Sequence, residues 1–274
     1  MGDMSELVIL AIAMLGTGVA AGVIAGLLGV GGGIVVVPVL EWVFELLGVP
    51  VDVRMHAAVG TSLAVIIPTS ISSARAHHMR GAVDIALAKR WTPFIVVGAA
   101  VGIFIASRVG GPVLTGVFGA VALLVAIKMV LPLDRRTFTS KVPRSAATAL
   151  IPTTIGTIST MMGIGGGSMT VPALTLMSEP IHKAVGTSSL FGLVIAIPGT
   201  LGFIYAGWGN ELLPTGSLGF VNMIGFALIA PTTVLAAPLG ARLAHALNRR
   251  HLSLAFGLFL LLISARMIWQ TISP

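Results

Sequence analysis

Backbone groups, more than charged side chains, carry the chemistry this sequence offers. Gly29-Val30-Gly31-Gly32-Gly33 recurs 134 positions later as Gly163-Ile164-Gly165-Gly166-Gly167, and each copy is followed by a proline five residues past its last glycine, Pro38 and Pro172. A glycine run is poor helix interior, costing about 1 kcal/mol per residue relative to alanine. A helix starting just after such a run presents unpaired N–H groups and about half a positive charge. Glycine also permits positive φ and lets a ligand come close to the backbone. Together these features predict an anion cradle without formal charge, with Gly31, Gly32 and Gly33 contributing from one copy and Gly165, Gly166 and Gly167 from the other. The same residues also suit close packing between helices, as in Gly-x-x-x-Gly, and the sequence leaves both readings open. A dinucleotide fingerprint is excluded by context, because it needs a third glycine after two spacers, a preceding strand and an acidic residue beyond.

A second repeated phrase supplies hydroxyls. His56-Ala57-Ala58-Val59-Gly60-Thr61-Ser62 corresponds to His182-Lys183-Ala184-Val185-Gly186-Thr187-Ser188. Thr61, Ser62, Thr187 and Ser188 are therefore candidate donors to an oxyanion, against the ordinary alternative that each bonds its own helix or a neighbour. His56 and His182 are candidates for gating or proton-linked groups near the two mouths, or for caps. His77 and His78, beside Arg75 and Arg80, read as a basic rim with no carboxylate at hand to complete a metal cluster. No metal site and no cofactor is expected. No acidic residue is read as falling mid-helix, so the carboxylate carrier of proton-coupled transporters is expected to be missing. Lys128 and Arg266 stand near helix ends, from which long side chains reach the interface.

The elements that must position these residues follow from composition. The chain has 274 residues, 56% of them hydrophobic and 9% charged, with a mean hydropathy of +1.04. A soluble chain would carry about 25% charged residues. Apolar stretches near 18 residues recur from end to end, which predicts an all-α polytopic membrane protein and excludes an outer-membrane barrel. The net charge of +7 fits the loop bias that orients membrane proteins rather than nucleic-acid binding. Zero cysteines exclude disulfides and thiolate chemistry. Asp3 and Glu6 precede the first apolar run with no Lys or Arg, so that run is expected to be a retained helix and not a cleaved leader.

Further markers complete a duplication. Gly81 corresponds to Gly207, and Pro93, Gly102, Gly119 and Lys128 reappear 138 positions on as Pro231, Gly240, Gly257 and Arg266. The predicted organisation is a first transmembrane repeat over 1–133, a cytoplasmic linker over 134–144 and a second repeat over 145–274. Each repeat holds about five helical segments: Leu7–Leu28, Ile34–Leu47, Ala57–His77, Ile85–Ser107 and Val113–Leu131, then Ser145–Met162, Met169–Met177, Lys183–Ala206, Leu218–Leu247 and Leu252–Thr271. The second segment of each is too short to cross a core of about 30 Å, which predicts broken or re-entrant hairpins at the glycine phrases. Arg75–Arg90, Asp134–Arg144, Glu179–Lys183 and Arg242–Arg250 together hold twelve of the sixteen Lys and Arg. Placing them in the cytoplasm gives five crossings per half, both termini outside, and a second half inverted relative to the first.

On these residues the sequence resembles the TauE/SafE family of sulfite exporters: the glycine phrase with Pro38, Gly60-Thr61-Ser62 leading to His77–Gly81 and Asp84, and their second copies. The resemblance implies a multi-pass carrier of a bacterial-type inner membrane for sulfite, for sulfonates such as sulfoacetate, or for related sulfur oxyanions. Its partners are then a small anion and membrane lipid, with no nucleic acid, and with homo-oligomerisation left open. The expected function is a secondary transporter or facilitator, not an enzyme, that exports the anion by alternating access. Two alternatives stay open: proton-coupled uptake of an organosulfonate or thiosulfate, and a membrane subunit without transport activity. Where relatives carry Gly-x-Val-Asp, the second half reads Gly207-Trp208-Gly209-Asn210, which leaves that loop's role unassigned.

Overall fold

Prolines, glycines and capping residues set the helix boundaries. The structure, a computed structural model, describes residues 4–28, 31–131, 147–243 and 249–272. Its helices are α1 (Met4–Leu28), α2 (Gly33–Leu46), α3 (Val51–His78), α4 (Ile85–Ala106), α5 (Gly111–Val130), α6 (Ala147–Met162), α7 (Gly167–Leu176), α8 (Ile181–Ala206), α9 (Met223–Leu243) and α10 (Arg249–Ile272). Six of them are long and apolar enough to cross a membrane. The expected linker over 134–144 lies outside the described residues.

Pro50 and Pro180 stand at the N-caps of α3 and α8. α3 starts six residues before the expected Ala57, because the carbonyl of Pro50 accepts from the N–H groups of Val53 and Arg54. Asp52, Arg54 and His56 make that turn look polar in sequence; Arg54 and His56 prove to have buried partners. The expected start of the ninth helix at Leu218 is also displaced. Gly216 and Gly219, both at positive φ, shape an antiparallel ribbon in which Ser217 faces Asn222 and Leu218 faces Val221, and α9 begins only after it.

The long helices pair across the chain: α1 with α9, α6 with α4, α3 with α8, and α10 with α5. Every pair joins a helix before residue 131 to one after residue 147. Small residues bring the backbones together. A Cβ on Gly22 would lie 2.5 Å from the carbonyl of Thr233, and one on Gly26 would lie 2.0 Å from that of Ala237. In the other pair, a Cβ on Gly98 would meet the carbonyl of Thr153 at 2.1 Å and one on Gly156 would meet that of Ile95 at 2.4 Å. Without water to drive apolar association, such close van der Waals approach and interhelical hydrogen bonds do the joining. One such bond runs from Thr157 Oγ1 to the carbonyl of Gly98 at 3.0 Å.

The helices α2 and α7, of 14 and 10 residues, extend about 21 and 15 Å at 1.5 Å per residue. Each stops short of a full crossing, as the glycine phrases predict. The reading that no acidic residue falls mid-helix is overturned here. Glu41 sits in the middle of α2 and is only 2% exposed. Its Oε1 receives Arg54 Nε at 2.9 Å, while Arg266 reaches Glu41 and Glu45 together. Arg266 is thus a paired residue tying α10 to α2, and no simple snorkelling side chain. A buried carboxylate deprived of its partner is left uncompensated, which typically costs about 3–5 kcal/mol. Arg54→Met is therefore expected to lower the thermal unfolding midpoint in detergent sharply. Adding Glu41→Gln to it is expected to restore part of the loss, read on the same melting curves.

Candidate functional site

The two glycine phrases meet. Gly32 and Gly166 are the N-caps of α2 and α7, at φ 76° and 73°, the left-handed conformation that glycine adopts without strain. The point where a Cβ on Gly31 would sit is 3.3 Å from Gly165 Cα, and a Cβ on Gly33 would lie 2.2 Å from the carbonyl of Gly163. Ser62, midway along α3, donates its hydroxyl to that same carbonyl at 2.8 Å. The N-terminal ends of two interrupted helices thus share one buried neighbourhood, with α3 and α8 beside them. Gly192 of α8 lies against Ser70 and the Gly165 carbonyl.

Ser62 reaches from one half to the opposite glycine phrase. Ser188 donates to the carbonyl of Val185 in its own helix at 2.9 Å. Thr61 and Thr187 are engaged in matching latches. Thr61 Oγ1 accepts the N–H of Asn222 at 2.8 Å, and Thr187 Oγ1 accepts the N–H of Asp84 at 2.9 Å. The preceding glycines complete each latch, because a Cβ on Gly60 would lie 2.5 Å from the carbonyl of Phe220 and one on Gly186 would lie 2.1 Å from that of Ala82. Asp84 and Asn222 each then cap the next helix, accepting from Leu87 N at 2.9 Å and Gly225 N at 2.8 Å. In each latch, a loop belonging to one half is fastened onto the third helix of the other.

This geometry corrects the repeat register. The partner of Gly81-Ala82-Val83-Asp84 is Gly219-Phe220-Val221-Asn222, with Gly81 and Gly219 both at positive φ, and not Gly207-Trp208-Gly209-Asn210. The second loop, 207–222, is ten residues longer than the first, 79–84, and the insertion hid the match. The corrected copy departs from Gly-x-Val-Asp only in Asn222, whose amide oxygen caps as a carboxylate oxygen does. The signal was present in the sequence, since Asp84 and Asn222 share the 138-position spacing of Pro93 and Pro231.

The histidines differ in setting. His56 is 5% exposed, with Nδ1 3.1 Å from the carbonyl of Asp52 and Nε2 3.0 Å from that of Ala106. Its ring stacks on Phe220 at 4.9 Å, so it helps seat the longer latch. His182, at the equivalent position, is exposed. His77 is buried rather than part of an exposed rim, and its Nε2 approaches the carbonyl of Gly26 at the end of α1 at 3.2 Å.

Reading the sequence missed a set of hydroxyls around the second phrase. Ser70, Ser159 and Thr170 are each at most 1% exposed, and their hydroxyl oxygens have no hydrogen-bond partner among the described residues. The clue lay in the repeat itself: Ala25, Ile34 and Val36 in the first copy stand where Ser159, Ser168 and Thr170 stand in the second.

Comparison with known proteins fits this architecture. A probable membrane transporter protein of Haemophilus influenzae is 34% identical over 251 residues, covering 91% of this chain and 95% of the relative. Bacillus subtilis YunE, also a probable membrane transporter protein, is 26% identical over 277 residues, covering 93% and 96%. A probable membrane transporter protein of Methanocaldococcus jannaschii is 25% identical over 259 residues, covering 89% and 93%. No solved structure matches the chain. The family model described as sulfite exporter TauE/SafE matches residues 14–267. With its polytopic helical fold and paired helix breaks, the chain belongs to the TauE/SafE sulfite exporter family of membrane transporters.

Proposed function

We propose that this transporter exports a sulfur oxyanion, sulfite or an organosulfonate such as sulfoacetate, by alternating access around the meeting point of the two glycine phrases. The observation that carries the reading is the contact of Gly31 with Gly165, which brings the N-terminal ends of α2 and α7 into one water-poor neighbourhood. Anions are favoured there without a fixed cation that would hold them too tightly. The cross-pairing of α1 with α9 and α6 with α4 supports two inverted halves, since each role in one half has its counterpart in the other. With the basic loops in the cytoplasm, both termini lie outside a bacterial-type inner membrane. The latches then lie at opposite faces: Thr187 with Asp84 at the cytoplasmic one, Thr61 with Asn222 at the outer one. Each serves as a gate that closes when its loop is seated.

Export of a monoanion from a cell that is negative inside releases about 2.3 kcal/mol per 100 mV, a concentration ratio of about 50. Facilitated export therefore needs no proton. A second reading, proton-coupled uptake, draws support from buried Glu41, whose Oε2 makes no hydrogen bond. In proteoliposomes, facilitation predicts sulfite flux that follows an imposed voltage and ignores a pH gradient, with wild-type behaviour retained in Glu41→Gln. Coupling predicts flux that follows the pH gradient and loses that response in Glu41→Gln.

The central site predicts that Ser62→Ala reaches the membrane normally and lowers sulfite efflux about tenfold, and that Gly165→Val abolishes it. Full-rate efflux in both variants rules out the cradle. The gates predict a separable behaviour. The native chain has no cysteine, so Ala82→Cys or Phe220→Cys provides a single thiol on either loop. Gly186→Ala is expected to raise labelling at position 82 and leave position 220 unchanged, while Gly60→Ala does the reverse. Equal labelling in all four combinations contradicts independent latches.

A further inference from the structure

We infer that the anion seat is one-sided: it is built on the N-terminus of α7 in the second half, with Ser159 and Thr170 as its side-chain donors and Ser70 of α3 beside them. The inference rests on the export reading above and assigns the groups that hold the substrate. Three observations converge on it.

The first is backbone. Among the described residues, the N–H groups of Gly165, Gly166, Gly167 and Ser168 find no backbone carbonyl, while the next two, Met169 and Thr170, bond to that of Gly166. All four residues are buried. Buried N–H groups are almost always paired in folded proteins, so such a run marks a site for an acceptor. The break before α2 has the same run over Gly31, Gly32, Gly33 and Ile34 among the described residues, so the backbone serves both breaks and the side chains decide between them.

The second is the side chains. Ser159 Oγ and Thr170 Oγ1 each lie 3.7 Å from the point where a Cβ on Gly166 would sit, one from each side of the helix break. Ser70 Oγ lies 2.5 Å from the corresponding point on Gly192, which is itself 3.2 Å from the carbonyl of Gly165. All three hydroxyls are buried and lack a partner among the described residues. Serine and threonine in membrane helices usually satisfy themselves on the carbonyl one turn back, as Thr69 does on Val65 at 2.8 Å. Three that do not, around one helix end, are held for something else. The nearest atom to the Gly166 point is a side-chain end, Ile195 Cδ1, at 2.5 Å.

The third is the contrast between the copies. The break before α2 keeps the left-handed glycine but is flanked by Ile34 and Val36, and a Cβ on Gly32 would meet only the backbone and methyl of Ala21 within 3.2 Å. Both phrases present backbone N–H groups, and only the second adds unpartnered hydroxyls, those of Ser159 and Thr170, beside them. Hydroxyls and N–H groups approaching from several directions suit the oxygens of an –SO3 group, all of which accept.

The test uses the purified full-length protein, with thermal melting in detergent against sulfite, methanesulfonate and acetate, and sulfite efflux from proteoliposomes. The variants Ser70→Ala, Ser159→Ala and Thr170→Val each remove one hydroxyl at nearly constant volume. If the hydroxyls serve the ligand, each variant melts at or above the wild-type temperature without ligand. The concentration of sulfite or methanesulfonate needed for half-maximal stabilisation then rises about tenfold per variant, KM for efflux rises in parallel, and acetate has no effect throughout. A control in the first half, Thr115→Val, removes a hydroxyl that is already satisfied on the carbonyl of Gly111 and is expected to leave the ligand response unchanged. Variants that melt lower without ligand, yet keep wild-type half-saturation and KM, overturn the inference and make the hydroxyls structural. If wild-type protein neither moves sulfite nor is stabilised by either sulfur anion, the export reading fails and this inference fails with it.

Discussion

Breaking a helix where there is no water leaves backbone groups that nothing outside the protein can satisfy. The fold answers by setting the two broken helices against each other. Gly31 lies against Gly165, Ser62 donates to the Gly163 carbonyl across the halves, and α3 and α8 wall the site. The interlocked pairs follow from this. If α1, which leads into the first break, packs on α9 from the other half, and α6 packs likewise on α4, neither break can be displaced without moving both halves. The same interlocking makes the meeting point sensitive to any relative motion of the halves, which is what the proposed alternating access needs.

Polar groups in this membrane protein have sharply divided work. One charge cluster, in which Glu41 and Glu45 are matched by Arg54 and Arg266, ties α2, α3 and α10 together. A balanced cluster of that kind fixes the far end of the half-length helix α2, whose near end is the glycine break. Neutral hydroxyls stand buried where an unpaired charge would be far more costly. Thr61 and Thr187 hold loops, Thr69 ties α3 to Thr233 of α9, and Ser70, Ser159 and Thr170 hold nothing among the described residues. On the proposed reading, the first set keeps the carrier shut and the second set gives it a reason to open.

What could be read from the sequence was what repeats or what breaks a periodic pattern. The glycine phrases, the short second helices and the all-helical membrane class depend on local residue preferences, so they stood out. The latch glycines Gly60 and Gly186 also stood out, although their role did not, because a close approach to Phe220 or Ala82 is a property of residues far apart in the chain. The second latch was masked by an insertion that moved its residues beyond the spacing of Gly207. Glu41 was overlooked because a carboxylate in an apolar helix announces nothing about the arginine that reaches it from α3. The buried hydroxyls without partners left only the exchange of Ala25, Ile34 and Val36 for Ser159, Ser168 and Thr170 between the copies as a sign, since serine looks the same whether or not its neighbour accepts a bond.

The two latches also say something about how the halves diverged. Each is a threonine holding the N–H of a residue that caps the following helix, preceded by a glycine that admits a carbonyl. Their geometry agrees to within a few tenths of an ångström, even though one loop is longer and stacks Phe220 on His56. The glycine breaks instead kept their backbone and changed their flanks, from isoleucine and valine to serine and threonine. On the proposed reading a gate must work equally at both faces, because alternating access opens each in turn, so the requirement acts on both copies. A ligand at the centre meets both halves at once and can take its donors from one. The matched latches and unmatched helix breaks therefore fit the proposed carrier, with two gates and one central substrate.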